Sequence, residues 1–108
     1  MFFKKKKPQP EPVKLVRLTA EEARAKSLEE NQREYNETLD LIISKLYIKI
    51  NEASAKGGYT VELYLDQFAR QVYISDLVRD LTAEFVSKGY TVKYIEETDG
   101  FWVIWKIR

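Results

Sequence analysis

Carboxylates are the side chains of this chain whose types and spacing could support chemistry. Asp76, Asp80 and Glu84 follow one another at four-residue intervals, and three more carboxylates lie between Glu96 and Asp99. Such groups could bind a divalent cation or act as a general acid. Because basic residues interleave with the first group and no ligand loop surrounds it, the pattern favours a solvated helix face and a polar turn.

The other residue types that commonly carry out catalysis are missing. The chain contains no histidine and no cysteine, which removes the commonest general base, the usual zinc ligands and any disulfide. Its glycines form no phosphate-binding loop, since Gly57-Gly58 ends a predicted helix and does not begin one. The sequence therefore predicts a protein that is not an enzyme and that binds no metal and no cofactor.

Residues 1–18 form a predicted basic arm ahead of the folded part of the chain. Residues 1–17 carry a net charge of +5, so the remaining residues carry −4 of the overall +1. Prolines at positions 8, 10 and 12 exclude a helix and favour an extended spacer. We predict that the arm docks on an acidic protein surface through Lys4, Lys5, Lys6 and Lys7.

Three other roles stay open for these four lysines. They could neutralise nucleic-acid phosphates, which would make binding sensitive to salt and indifferent to base sequence. They could bind anionic lipid, with Phe2 and Phe3 as shallow apolar anchors. They could also form a solubilising tail. The sequence has no apolar run of the roughly 20 residues that a membrane span requires and no secretory signal, which predicts cytosolic synthesis.

A stretch without glycine or proline from Thr19 to Lys56 predicts one long first helix. Thr19 and Glu22 form a capping box at its start, and Gly57-Gly58 ends it. Apolar residues spaced three or four apart predict that its second half is buried. They are Tyr35, Leu39, Ile42, Ile43, Leu46, Ile50 and Ala53.

The first half of this helix offers little apolar surface for packing on the body. Among its many charges, Ala23, Ser27 and Leu28 could form a seam for pairing with another helix. A break near Asn31 or Asn36 is an alternative, because asparagine is a weak helix former. We expect this half to project and to bind a protein, either a second copy of the chain or a larger complex.

The rest of the chain predicts a strand, a second helix and a hairpin. Residues 59–65 and 90–97 alternate as half-buried strands, while residues 66–74 fit either a helical turn or a short strand. Ser75 is the predicted N-cap of the second helix, and Asp99-Gly100 predicts a type I′ turn.

The last strand, residues 101–107, is apolar on both faces and is therefore expected at the centre of the sheet. The predicted fold is α+β, with a long N-terminal helix followed by strand, helix and hairpin. A mixed or antiparallel sheet of three strands, or four, packs on two helices. Residues 19–108 form its single domain.

Aromatic residues gather in the second half of the chain and could stack on nucleic-acid bases. Few lysines lie near them and the body is net negative, so core and cross-strand packing is favoured. Helices that cover one sheet face leave either Trp102 or Trp105 on the open face. We take Trp102 as a candidate contact for a protein partner.

Four parts of the sequence carry a resemblance. They are the capped start Leu18–Arg24, the positions Leu39, Ile42, Ile50, Ala53 and Gly57, the segment Gly89–Val92, and the closing pair Ile104-Trp105. Together they resemble, over residues 18–107 in outline, a small domain that recurs in uncharacterised proteins of tailed bacteriophages and is sometimes attached to virion components. The resemblance implies a protein of the host cytoplasm or the virion, and it brings no catalytic or binding residues with it.

The favoured function is a structural or assembly subunit, a homo-oligomer or part of a larger complex. Two alternatives stay open. One is a small phage effector that binds and inhibits a host protein through its aromatic sheet face. The other is attachment to nucleic acid through the lysine arm.

Overall fold

The computed structural model describes residues 15–107, which form two helices and one three-stranded sheet. Both helices pack on the same face of the sheet, which is antiparallel with the strand order β1-β3-β2. The predicted α+β fold with a long first helix is confirmed. The elements are α1 (Ala20–Ala55), β1 (Thr60–Tyr64), a 3₁₀ helix (Leu65–Gln67), α2 (Gln71–Val86), β2 (Thr91–Ile95) and β3 (Gly100–Ile104).

Helix α1 is continuous over 36 residues, so the break considered near Asn31 or Asn36 does not occur. The Thr19 hydroxyl accepts a hydrogen bond from the Glu22 N–H at 3.1 Å, and the Glu22 carboxylate accepts one from the Thr19 N–H at 2.9 Å. At the other end Gly57 adopts a φ of 84°, and the Gly58 N–H donates to the Ala53 carbonyl at 2.7 Å. Both ends are therefore closed as the sequence predicts.

Strand β3 lies at the centre of the sheet, as its apolar character on both faces predicts. Phe101 and Val103 point towards the helices and are completely buried. They lie opposite Leu63 and Val61 of β1, and these four side chains form the floor of the core. The alternate residues of each strand lie on the opposite face, which the described helices do not cover.

The prediction that Ser75 caps the second helix is wrong. Helix α2 begins at Gln71, after Arg70, which is extended and provides no side-chain cap. Ser75 is an exposed residue of its second turn, beside the buried Ile74. Residues 65–67 form the 3₁₀ helix and residues 71–74 already belong to α2, so the ambiguous stretch 66–74 is helical at both of its ends.

The hairpin forms where Asp99-Gly100 predicts it, but the turn is not type I′. A four-residue loop, 96–99, joins Ile95 to Gly100, which are paired residues of β2 and β3. Within this loop only Asp99 has a positive φ, at 57°. Gly100 is a buried strand residue, and a Cβ on it would meet the Thr98 hydroxyl at 3.1 Å. This glycine therefore serves close packing and not a left-handed turn.

Candidate interaction surfaces

The first 15 residues of α1 contain no buried side chain, although Leu28 and Asn31 line a cavity together with residues of α2. We call residues 20–34 the projecting half. Tyr35 is the first buried residue of the helix, and before it only Ala23 and Glu34 are partly covered. Leu28, which is 70% exposed, precedes Tyr35 by seven residues and so lies on the same side of the helix. The side of α1 that packs in the core therefore continues into the projecting half.

The three residues predicted as a helix-pairing seam lie together on the projecting half. Ala23, Ser27 and Leu28 line one shallow groove, which Arg24 and Asn31 complete. The groove has a volume of about 500 Å³, and Leu28 is its one large apolar side chain. It could accommodate the close approach of another helix, but a partner would have to supply most of the apolar surface. Lys4 to Lys7, the other predicted contacts, lie outside the described residues.

Exposed ion pairs lie along the surface of α1, in the projecting half and at its end. Arg33 forms ion pairs with Glu30 and with Glu37, one turn away on either side. Arg70, just before α2, pairs with Glu34 at 2.9 Å, which links the last residue of the projecting half to the body. All these pairs are solvent-exposed, so they contribute little to stability.

The carboxylates of α2 fasten the two helices together. The Tyr35 hydroxyl donates to the Asp80 carboxylate at 2.5 Å, and the Tyr47 hydroxyl donates to the Glu84 carboxylate at 2.7 Å. Burial and the neighbouring carboxylates raise the pKa of both phenols, that of Tyr47 to about 12. Hydrogen bonds from Arg79 and then from Tyr35 lower the pKa of Asp80.

These contacts show what the acidic residues of α2 do within the fold. Asp80 and Glu84 are committed to phenol and arginine or lysine partners. Within residues 15–107 no cluster of three or more metal-binding side chains occurs. The solvated helix face that the sequence favours therefore also carries an interhelix contact, which sequence reasoning missed.

Asp99 joins three elements in the same way. Its carboxylate accepts hydrogen bonds from the Tyr94 hydroxyl at 2.5 Å and from the Gln71 amide at 2.8 Å. Its backbone carbonyl accepts from the Leu65 N–H at 2.9 Å. The bonds from Tyr94 and Gln71 lower the pKa of Asp99, while the pKa of Tyr94 rises to about 12. The predicted polar turn therefore connects the hairpin to the start of α2 and to the end of β1.

Trp102 lies on the open face of the sheet, and Trp105 packs against the core beside the Tyr90 ring. Glu62 and Lys93 are the cross-strand neighbours of Trp102, and its side chain is half-buried. Its indole N–H is enclosed and has no acceptor among the described residues. Trp102 is therefore a sheet-face residue of limited exposure, with Tyr64 as its more exposed aromatic neighbour.

Neither described helix is both long and apolar enough to cross a membrane. No protein-family model, curated protein or solved structure that was compared with the chain matches it. The resemblance to a bacteriophage domain stays a prediction.

Proposed function

We propose that this protein is a non-enzymatic structural or assembly subunit that binds a second copy or a larger protein complex. The observation that carries the proposal is the projecting half of α1. Its 15 residues form a capped, ion-paired helix, yet none of their side chains is buried in the body. Most helical stability in proteins comes from the tertiary packing of one helix face, so contact with a partner would stabilise these residues.

The groove of Ala23, Ser27 and Leu28 supports a helical partner. Small side chains allow two helix backbones to approach closely, and Leu28 would provide a central apolar contact. The projecting half carries five carboxylates against three basic residues, whereas the arm is strongly basic. These opposite charges favour contacts between the arm of one copy and the projecting half of another.

Two features support the non-enzymatic part of the proposal. The chain has neither histidine nor cysteine. Three of the carboxylates that could replace them, Asp80, Glu84 and Asp99, are engaged by tyrosine or arginine side chains. The resemblance to phage domains adds a setting to the proposal. The protein would be a component of the virion, or would act in virion assembly in the host cytoplasm.

Light scattering of Leu28→Asp tests the proposal. We expect the purified protein to self-associate in a concentration-dependent way, or to bind an identified neighbour from its native particle. The Leu28→Asp substitution should weaken that association at least tenfold, which corresponds to about 1.4 kcal/mol. The matched control is Leu41→Asp, because Leu41 is also exposed on α1 but lies outside the projecting half. A strict monomer at high concentration that binds no such neighbour would contradict the proposal.

A second candidate function is the inhibition of a host protein through the open sheet face. It is favoured by the uncovered row of Tyr64, Trp102 and Ile104. Deletion of residues 1–17 distinguishes the two functions. The assembly function predicts lost incorporation into the complex, whereas an effector that uses the sheet face would keep its binding.

A further inference from the structure

Strand β1 is an edge strand whose free backbone groups can be assigned from the sheet register. The Trp105 N–H donates to the Tyr59 carbonyl, and the Leu65 N–H donates to the Asp99 carbonyl, both at 2.9 Å. In an antiparallel pair, hydrogen-bonded and non-bonded residues alternate along the strand. Because Thr60, Glu62 and Tyr64 occupy the alternate positions, their N–H and C=O groups point away from β3.

A groove runs along this free edge, between β1 and the second half of α1. It consists of two cavities, of about 430 Å³ and about 320 Å³, which share Lys49 as a lining residue. The larger cavity lies beside Thr60, and the smaller one lies beside Leu63 and Phe68. The groove therefore spans most of β1.

The larger cavity also reaches around the strand edge. Its lining includes Lys49 and Ala53 of α1 on one side and Trp102, from the open sheet face, on the other. A segment lying in the groove would therefore meet α1 with one face and the aromatic sheet face with the other. The side chains of an added strand alternate between two faces, so they would point towards these two surfaces in turn.

The α1 side of the groove is basic. Lys45, Lys49 and Lys56 line it, and their spacing of four and seven residues places them on one side of the helix. None of the three forms an ion pair with another residue of the described range. Glu52 is the acidic residue of α1 in the groove. Glu62 of β1 also lines the groove, so two carboxylates accompany the three lysines.

We propose that an extended, acidic segment of a partner protein binds in this groove and adds to β1 as a fourth strand. Its backbone would pair with Thr60, Glu62 and Tyr64, and alternate acidic side chains would reach the three lysines. This is strand addition at a sheet edge, in which main-chain bonds provide affinity and side-chain contacts provide specificity. The surface includes no residue of the projecting half, so the proposal goes beyond the assembly function.

Charge selects this occupant over two others. A second copy paired through β1 about a two-fold axis at Glu62 would place two glutamates opposite each other, which is destabilising. The arm of the chain itself has the same sign as the groove lysines, with Glu11 as its one carboxylate. An acidic segment from another protein could form hydrogen bonds with the free strand edge and ion pairs with the lysines.

The test uses the full chain and a short, capped peptide in which glutamate alternates with valine. We expect the peptide to protect the amides of Thr60, Glu62 and Tyr64 from hydrogen exchange, measured residue by residue by NMR. Lys49→Glu should lower the affinity for the peptide roughly tenfold, because it replaces an attraction between charges by a repulsion. The matched control is Lys93→Glu, which makes the same charge change on the opposite edge strand and should leave the affinity unchanged.

Two further peptides separate strand addition from simple charge attraction. The same peptide with its alternate backbone amides methylated keeps every carboxylate but cannot complete the ladder, and it should not bind. A peptide with lysine in place of glutamate should not bind either.

Four results would overturn the proposal. They are no binding of the glutamate peptide at about 1 mM, equal affinity for the Lys49→Glu variant, protection at the β2 edge instead, and β1-edge amides that are already protected in the free protein. Loss of self-association in Leu28→Asp, with the peptide still bound, would show that the two surfaces act independently.

Discussion

At the scale of single residues, Asp99 has the widest structural influence. Its carboxylate connects the hairpin to Tyr94 and to Gln71 at the start of α2, and its carbonyl receives the Leu65 N–H. It also adopts the left-handed backbone conformation, which aspartate and asparagine tolerate better than most residues. An Asn substitution therefore removes the charge without disturbing the backbone.

We predict that Asp99→Asn lowers the midpoint of thermal unfolding at neutral pH. The midpoint of the variant should also fall less steeply as the pH is lowered into the acid range. The folded-state pKa of Asp99 lies below its ordinary value of 3.8. Its contribution to stability is therefore complete above that value and is lost as the pH falls through the lower, folded-state pKa. Thermal unfolding between neutral pH and strong acid, monitored by circular dichroism, measures both effects.

Glu97→Gln is the matched control for Asp99→Asn. Glu97 is an exposed residue of the same loop, and no hydrogen bond from its side chain to a described residue is found. Its substitution should leave the pH dependence unchanged. Equal flattening in the two variants would show that the loop carboxylates act through general charge and not through the Tyr94 and Gln71 bonds.

At the scale of the elements, α1 consists of a packed half and an exposed half within one continuous helix. We predict that Thr19→Ala destabilises only the exposed half. Loss of the capping box costs about 1 kcal/mol of helix stability, but the residues nearest to it contribute nothing to the core. Hydrogen exchange should accelerate over residues 20–34, while the midpoint of global unfolding stays the same.

Ser75→Ala provides the opposite comparison. Because Ser75 is an exposed residue inside α2 and not its cap, alanine should be neutral or stabilise the helix by a few tenths of a kcal/mol. A clear loss of stability in Ser75→Ala would contradict this position in the helix. A lower midpoint of global unfolding in Thr19→Ala would show that the projecting half is coupled to the body.

The sequence predicts those elements whose signals are local. The apolar spacing of α1 identifies the half that packs, and the two apolar faces of β3 identify the central strand. The start of α2 lacks such a signal, because Arg70 provides no side-chain cap. The residues before it fit more than one element, so the sequence predicts a start at Ser75, later than the one the structure shows.

The contacts that define the candidate surfaces depend on tertiary structure. Tyr35 and Asp80 are 45 residues apart in sequence, and Tyr47 and Glu84 are 37 apart, so no local pattern pairs them. The spacing of Lys45, Lys49 and Lys56 is visible in the sequence. Its meaning depends on strand order, which places a free edge of β1 beside these lysines.

At the scale of the whole molecule, the core and the projecting half are separable. Every buried residue of the described range lies at or after Tyr35. Asn31 is a residue type that caps helices well, and Glu34 follows it three residues later, which resembles a capping box. A chain that begins at Asn31 should therefore start its own helix and keep the Glu34–Arg70 ion pair.

We predict that this shortened chain, residues 31–108, unfolds within about 4 °C of the full chain, which corresponds to less than about 1 kcal/mol. A chain that begins at Asn36 loses Tyr35, with its bond to Asp80 and its ring contact with Tyr73. Since removal of a buried aromatic costs roughly 3 kcal/mol, its midpoint should fall by about 12 °C or more. Calorimetry of the two chains measures the difference. If the chain that begins at Asn31 is also strongly destabilised, the projecting half belongs to the folding unit and is not a separate surface available to a partner.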